Sequence, residues 1–284
     1  MEITLDQLLQ NENALQLLLQ EHRNDVLLTA VRIVDERVFP RLYSIDPSIS
    51  EYKSEKGSNL LFYACMYNNH VALQQLMAFI PDINYRNIEN ETALTVAVAF
   101  NSIECVRLLL MHPNITLDIA SKTELTPLLM AINFNNYHMV KLLLDHGASI
   151  NMGREPPITM AIKKRNDDIV DLLIDYKADL DRVDHKGIPP IMYAIYSPTT
   201  LRQLLTHGCN VNAVDSNGLT ALLHACGQGF VEAVKILIAH GADVNYKTPS
   251  GLSIQHVSLY NINVIDELGK HNIIVERPVS LNTL

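Results

Sequence analysis

Residues 215–245 read DSNGLTALLHACGQGFVEAVKILIAHGADVN, and this stretch decides the fold. It opens on a turn, because Asn217-Gly218 readily adopts positive φ, and Thr220 follows as the N-cap of a short first helix. Gly229 ends that helix. The next segment carries apolar side chains three and four residues apart, as on one face of a second helix, and Gly241 ends it. The stretch therefore predicts a turn, a short helix, a tight turn, a longer helix and an extended return.

The same phrase recurs along the chain. Each copy centres on an alanine, with an apolar pair before it and another further on. The intervals between these alanines are 34, 33, 34, 30, 33 and 31 residues, and the alanines are Ala30, Ala64, Ala97, Ala131, Ala161, Ala194 and Ala225. A period in the thirties indicates one small helical unit that is copied and stacked, which predicts a solenoid rather than a globule.

The repeated phrase resembles the ankyrin repeat family. The family pattern D-x-x-G-x-T-P-L-H-x-A-A-x-x-G, followed by V-x-x-L-L-x-x-G-A-x-x-N, is matched best by 215–245 and nearly as well by 126–151. Pro157 and Pro190 stand at the family proline, in the first helical turn, where a missing N–H costs least. Successive copies close on asparagine, at Asn84, Asn151, Asn212 and Asn245. The resemblance implies an all-α ankyrin-repeat solenoid of stacked helix-turn-helix units with short β-hairpin-like turns, strongest over 55–250.

Several positions depart from the family pattern. Its histidine is absent from every copy, which predicts that adjacent turns depend more on packing. Its helix-breaking glycine is often asparagine, the residue that best tolerates a left-handed backbone after glycine, at Asn68, Asn101 and Asn135. The 30-residue interval shortens the turn near 152–155, and the 31-residue interval shortens the inner turn at Ser197-Pro198. Both predict a local irregularity.

We predict four segments: N-terminal helices with a degenerate capping repeat (1–50), ankyrin repeats (51–250), a degenerate C-terminal capping repeat (251–275) and a flexible tail (276–284). Residues 4–10 and 13–20 read as short amphipathic helices, and Pro40 falls inside the second helix of the first copy. At the other end Ser258 replaces the eighth alanine, and Gln255 and Asn263 fall at core-like positions. A terminal repeat exposes one face to solvent, so we expect its sequence to depart from the repeat pattern.

Composition narrows the class of protein. The 284 residues hold 22 basic and 31 acidic side chains, a net charge of −9, which disfavours nucleic acid as a main partner. The four cysteines form no C-x-x-C, which favours reduced intracellular thiols. The N-terminus lacks a signal-peptide pattern, and no apolar run of about eighteen residues predicts a membrane span. We expect a cytoplasmic protein, monomeric by itself.

The first candidates for partner binding are a row of residues that we expect on the concave face. The ankyrin resemblance implies that the two residues after the central alanine pair line this face. By that count Tyr67, Phe100 and Phe134 hold equivalent positions and form a ladder with rungs about 10 Å apart. Exposed aromatic patches mark contact surfaces; alternatively, the rings cover the bases of the turns and belong to the fold. Both interpretations stay open.

The same count adds Lys163, Lys164 and Tyr196. With Arg165, the two lysines form either a basic end of the contact strip or a solvated helix terminus. Turn tips supply the remaining candidates, Ile88, Leu125, His185 and Lys186, together with Glu89, Ile188, Ser216 and Asn217. Ile88 and Leu125 are apolar, which favours contact, although either could fold back onto its own hairpin.

Neither metal nor catalytic chemistry is indicated. One histidine recurs near the end of the second helix in four copies, at His112, His146, His207 and His240. A helix C-terminus favours such a side chain without a metal, and a repeat spacing of about 10 Å is too long for neighbours to share zinc. The chain has no H-E-x-x-H, no G-x-S-x-G and no P-loop, so we expect no cofactor and no enzymatic activity.

The leading hypothesis is a non-enzymatic adaptor or scaffold that binds another protein on its concave face and turn tips. An alternative is a substrate-recruiting adaptor, or a secreted effector acting in a host cytosol, whose N-terminal segment docks onto other machinery such as a ubiquitin ligase. A third class, an enzyme hidden in residues 1–50, is disfavoured because so short a segment can hardly enclose a site.

Overall fold

The computed structural model describes residues 4–9, 12–259 and 261–275. It divides into two compact units, Met1–Ser149 and Ile150–Leu284. Helices, turns and loops make up the described residues, whose only β pairing is an isolated bridge between Val214 and Thr220. The predicted all-α fold of stacked helix-turn-helix units is confirmed. The predicted tail, 276–284, lies outside the described residues, as does Gln10.

The first unit stacks first helices on first helices and second helices on second helices. In chain order its helices are α1 (Leu5–Leu8), α2 (Glu12–Arg32), α3 (Val38–Ile45), a 3-10 helix (Pro47–Glu51), α4 (Leu60–Met66), α5 (His70–Phe79), α6 (Ala93–Ala99), α7 (Ile103–Leu110), α8 (Pro127–Asn133) and α9 (Tyr137–Asp145). In one layer α2, α4, α6 and α8 pack in succession, and in the other α3, α5 and α7 do so.

The second unit is built in the same way. Its helices are α10 (Pro157–Lys163), α11 (Asp167–Asp175), α12 (Pro190–Ala194), α13 (Pro198–Thr206), α14 (Ala221–Gln228), α15 (Val231–Ala239), α16 (Ile254–Val257) and α17 (Ile262–Lys270). The even-numbered helices from α10 to α16 form one layer, and the odd-numbered ones from α11 to α17 form the other.

The central alanines form the spine of each stack. All seven are at most 1% exposed, and the serine that replaces an eighth, Ser258, is buried too. A small side chain at this position lets successive first helices approach closely, as dense packing of the interior requires. In the last copy, Gln255 and Asn263 are exposed.

The inner turns follow the sequence closely. Asn68, Asn101 and Asn135 adopt the left-handed backbone at φ of 53°, 55° and 54°, as predicted, and Gly229 does so at 80°. The shortening predicted at Ser197-Pro198 falls on the helix instead of the turn: α12 has five residues against seven in α10, and three residues separate the helices in both copies. Ser197 caps α13, accepting a hydrogen bond from the Thr200 amide.

The N-terminal helices agree with the prediction in outline. The span of α2, Glu12–Arg32, contains a non-helical residue, His22, with φ of −136° and ψ of 39°, so two helices meet there at a kink. The first of them covers the short helix predicted over 13–20, and Leu15, Leu19, Val26 and Leu27 are buried on both sides of the kink. Pro40 lies in the first turn of α3, where a missing N–H is tolerated.

Hydrogen bonds tie each repeat to the next within each unit. At the inner turns, N-cap residues of second helices reach back: Asn69 donates to the Val31 and Ile33 carbonyls, and Asn261 to those of Cys226 and Gly227. Between hairpins, the Ile88 amide donates to the Lys56 carbonyl and the Lys122 amide to the Glu89 carbonyl. The prediction that the missing histidine leaves adjacent turns to packing is therefore incomplete.

Asparagines that close a copy also bond to the repeat that follows. The side-chain oxygens of Asn84, Asn151 and Asn212 accept backbone amides of the following repeat, from Thr116, Asp179 and Asp243. Aspartates take the same role in two further copies, where Asp118 accepts from Ser149 and Asp181 from Asn210. In these five copies one short acceptor thus fixes the outer loop that follows it.

Candidate functional site

The first unit carries an aromatic row, which we define as Tyr67, Phe100 and Phe134. Each is the C-cap of its first helix, with φ and ψ within 3° of one another, and each precedes a left-handed asparagine. Their exposed fractions are 38%, 53% and 57%. Because the backbone is repeated from copy to copy, the side chains leave the stack at equivalent points, as the sequence count predicts.

Tyr67 differs from its two neighbours in having a partner. The Arg32 guanidinium lies 4.8 Å from the Tyr67 ring centroid and donates a hydrogen bond of 2.8 Å to the Tyr67 hydroxyl. A cation over an aromatic face is attracted by the ring quadrupole. Tyr67 is therefore partly covered by its own chain, whereas Phe100 and Phe134 hold the most exposed aromatic surface of the row.

Phe100 borders a groove of about 620 Å³ within the first unit. Its floor and walls come from the N-terminal helix, two first helices and the hairpin before α4. The lining residues that matter here are Leu28, Tyr52, Tyr63, Met66, Val96 and Phe100. The Tyr52 and Tyr63 rings meet edge to face at 6.2 Å, and burial, followed by the nearby Tyr63, raises the pKa of Tyr52. The groove thus combines apolar and aromatic side chains with polar ones.

The rim of the groove is polar and mixed in charge. Lys53 lies over the Tyr85 ring, with its Nζ 4.7 Å from the centroid, and Lys56 and Glu55 are exposed beside it. On the opposite hairpin, Asn87 donates to Glu91 at 2.8 Å. Apolar side chains surrounded by a polar rim are typical of protein contact surfaces.

The predicted turn tips are placed unequally. Ile88 is 54% exposed and packs beside Gly57 of the preceding hairpin, whereas Leu125 is half-buried, with its carbonyl accepting the Ser121 amide. In the second unit His185 and Lys186 are both exposed at a hairpin tip. Of the two apolar tips, Ile88 offers more surface for contact.

Lys163, in the second unit, is engaged in its own fold. Its Nζ lies 2.5 Å from Glu155 and 3.2 Å from Asp184, and 4.1 Å from the Tyr193 ring centroid. Burial alone would lower the pKa of Lys163, but the bonds to Glu155, Tyr193 and Asp184 raise it. This arrangement differs from the expected basic strip, in which Lys163 is a free cation. Lys164, by contrast, is exposed at the end of α10.

Asp184 is the centre of that cluster, and sequence reasoning missed it. One carboxylate oxygen accepts the Lys186 and Ile188 amides, and the other accepts the Tyr193 hydroxyl at 2.7 Å. Burial would raise the pKa of Asp184, but these bonds and Lys163 lower it to about 2. The next copy repeats the pattern, with His224 bonded to Asp215 at 3.0 Å. An acidic residue opening a hairpin, nine positions before a polar ring, is the signal that could have revealed the cluster.

Tyr196 is 54% exposed and held from the following repeat. Its hydroxyl donates to Gln228, and its ring meets Phe230 edge to face at 5.2 Å. It therefore presents one fixed face rather than a mobile side chain.

Three of the four recurrent histidines have partners in their own helices, and the fourth, His112, accepts the Asn114 amide beyond α7. The Nδ1 atoms of His146, His207 and His240 lie 2.8–2.9 Å from the carbonyl oxygen four residues earlier. No group of three or more metal-ligating side chains is found among the described residues. The cysteines are buried, and burial raises the pKa of Cys226 to about 11. In the described part of the chain, no helix has both the length and the apolar character to cross a membrane.

Comparison with known proteins identifies the repeat. A family model described as ankyrin repeats (three copies) matches residues 7–121, 115–184, 158–248 and 191–276. A putative ankyrin repeat protein of Acanthamoeba polyphaga mimivirus is 37% identical over 105 residues, which cover 37% of this chain and 14% of that protein. The ankyrin repeat protein nuc-2 of Neurospora crassa is 32% identical over 184 residues, covering 62% and 17%. The chain thus spans less than a fifth of the length of these curated relatives.

Solved structures show the same fold. The ankyrin repeat domain of Bcl-3 has a TM-score of 0.70 and 27% identity, covering 76% of this chain and 100% of that one. The human ASB11 ankyrin repeat domain has a TM-score of 0.61 and 22% identity, covering 78% and 99%, and this likeness shows the fold alone.

Proposed function

Because the chain belongs to the ankyrin repeat family, we propose that it binds another protein through the aromatic row and groove of its first unit, as a non-enzymatic adaptor or scaffold. Ankyrin repeats are generally protein interaction modules. The observation that carries the proposal is the pair Phe100 and Phe134, which leave more than half of their surface exposed at equivalent positions. Large aromatic side chains dominate the energy of protein contacts.

The backbone of this surface is already fixed before a partner binds. Its residues stand at helix ends whose backbone is fixed by capping and by the left-handed asparagines, so little conformational entropy is lost when a partner docks. The groove of about 620 Å³ beside Phe100 has room for apolar side chains of a bound segment. Lys53, Lys56 and Glu55 at its rim supply polar contacts that orient such a segment.

A random-peptide display selection against the complete chain tests the proposal. We expect enriched peptides to bind the unchanged protein and to lose at least about tenfold in affinity for the double variant Phe100→Ser/Phe134→Ser, since each ring is a candidate hot spot. Affinities are measured by fluorescence anisotropy, and circular dichroism checks that the variant is folded.

The matched control is Leu17→Ser/Met111→Ser, which removes two apolar side chains of the same unit that are 59% and 78% exposed but lie outside the row and groove. It should bind the selected peptides within about twofold of the unchanged protein. Peptides that bind both double variants equally well, or a selection without enrichment, would contradict the proposal.

A further inference from the structure

The second unit contains a notch of about 440 Å³ beside the inner turn between α12 and α13. Helix α12 has five residues, against seven in α10, so Ser197 caps α13 three residues after Ala194, whereas Asn166 caps α11 five residues after Ala161. The notch lies where the first helix is shortened. Ile162, Tyr193, Tyr196 and Pro198 give this notch apolar and aromatic walls.

Arg165 lines the notch from a strained position. Its φ is 56°, in the left-handed region, where the equivalent residues of other inner turns are asparagine or glycine. Arginine is disfavoured there, because its Cβ crowds the following carbonyl. Such outliers cluster at functional sites, where the side chain is needed despite the strain.

The charge of Arg165 is not neutralised. Lys163 is paired with Glu155 and Asp184, but Arg165 forms no ion pair with any residue that the structure describes. Asp167, a carboxylate in the lining, already accepts the Thr200 hydroxyl at 2.7 Å. The notch therefore combines apolar and aromatic side chains with polar ones and with a guanidinium that forms no ion pair in the described part of the chain. The planar fork of a guanidinium matches a carboxylate in two parallel hydrogen bonds.

We propose that this notch binds an acidic side chain of a partner protein, a glutamate or aspartate whose apolar neighbour packs against Tyr196 and Pro198. The site is separate from the one proposed for the first unit and goes beyond it, because it specifies the chemistry of a second contact. The carboxylate pairs with Arg165, and the apolar neighbour fills the remaining space of the notch.

The test is a binding titration of the complete chain, followed by NMR, with acetyl-Leu-Glu-Leu-amide and its Gln and Lys counterparts. We expect the Glu peptide to shift the amides of Arg165, Ser197 and Thr200, and to bind about tenfold more tightly than the Gln peptide. Equal binding of the Glu and Gln peptides, or preference for the Lys peptide through Asp167, would overturn the proposal.

Two glycine variants separate recognition from folding. Arg165→Gly removes the cation and relieves the left-handed strain, so the variant should be at least as stable while its affinity for the Glu peptide falls about tenfold. Lys177→Gly is the matched control, because it also removes a cation at positive φ (65°) in the same unit, away from the notch. Equal loss in both variants would show that only net charge matters and would refute the site.

A third variant keeps the two proposals distinguishable. Phe100→Ser/Phe134→Ser alters the first unit alone and should bind the Glu peptide as the unchanged protein does. Loss of peptide binding in this variant would place the contact outside the notch and count against it.

Discussion

Asp184 shows how one buried side chain organises a hairpin. One carboxylate oxygen accepts hydrogen bonds from the Lys186 and Ile188 amides, and the other accepts them from the Tyr193 hydroxyl and the Lys163 ammonium. The side chain has no exposed surface, so these bonds are poorly screened by water. The residue therefore couples the hairpin tip to the helices behind it.

Asp184→Asn should destabilise the protein by about 2 kcal/mol at pH 7. The pKa of Asp184 is about 2 in the folded state, below its ordinary value of 3.8. A lowered carboxyl pKa contributes stability that is complete above the unfolded pKa and is lost as the pH falls through the folded one. The difference between variant and unchanged protein, measured by urea unfolding, should thus shrink from about pH 4 to about pH 2.

Asp168→Asn is the control for Asp184→Asn, since Asp168 is exposed on α11 of the same unit and should change stability by no more than about 0.5 kcal/mol. If the Asp184→Asn deficit stays constant across this pH range, the loss arises from shape rather than from charge.

Some residues were predictable from the sequence and others were not, for a physical reason. Asparagine and glycine at the inner turns have an intrinsic tolerance for positive φ, so Asn68 and Gly229 could be assigned from residue type. Arg165 and Lys177 have no such preference, and their left-handed backbone is imposed by the packing of the whole repeat. The ion pair of Lys163 could not be predicted, because its partner Asp184 lies in the next repeat.

At the scale of elements, one N-cap side chain can stabilise a helix and join two repeats. Asn69 accepts the Ala72 amide at the start of α5 and donates to the Val31 and Ile33 carbonyls at the end of α2. The side chain is 1% exposed, so water cannot replace it. Loss of its amide leaves buried polar groups without partners.

Asn69→Ala should therefore cost about 2–4 kcal/mol, from the lost cap and the orphaned carbonyls together. Asn69→Ser keeps an acceptor for the cap but cannot reach both carbonyls, and we expect roughly half of that loss. Thermal and urea unfolding measure both variants. Equal destabilisation by Ala and Ser would mean that the cap contributes nothing and that the link to α2 accounts for the whole effect.

Element boundaries were predicted best where residue type marks them. Thr126 and Thr220 cap α8 and α14, and Pro157 and Pro190 begin α10 and α12. The kink of α2 at His22, where two helices meet directly, has no such marker in the sequence, and the helices on its two sides pack against α3 and α4.

On the scale of the whole molecule, the repeat period predicted the fold because each copy buries its core against a neighbour. The same regularity says little about what binds, since the site residues occupy surface positions that the fold does not constrain. Phe100 and Phe134 could be located by counting from the alanines. The 31-residue interval marks where a copy is shortened, but the notch at Arg165 could not be located from it, because the lining side chains come from two successive copies.

Helices with fewer packed neighbours should open more readily. In the second unit α17 packs on α15, whereas α15 has neighbours in α13, α14 and α17. We expect amides of α17 to exchange with deuterium at least about tenfold faster than those of α15 under native conditions, because local opening exposes less buried surface there. Hydrogen exchange with mass spectrometry measures both. Equal protection would indicate that the unit opens only as a whole.

The closing acceptors, Asn84, Asp118, Asn151, Asp181 and Asn212, suggest how such a chain can change its length over evolutionary time. Each reaches only the repeat that follows, so a recombination event that duplicates or deletes one whole period between two of these positions recreates the same hydrogen bond at the new boundary. Copy number can then vary without the invention of a new interface, while each added copy offers fresh surface for selection to modify.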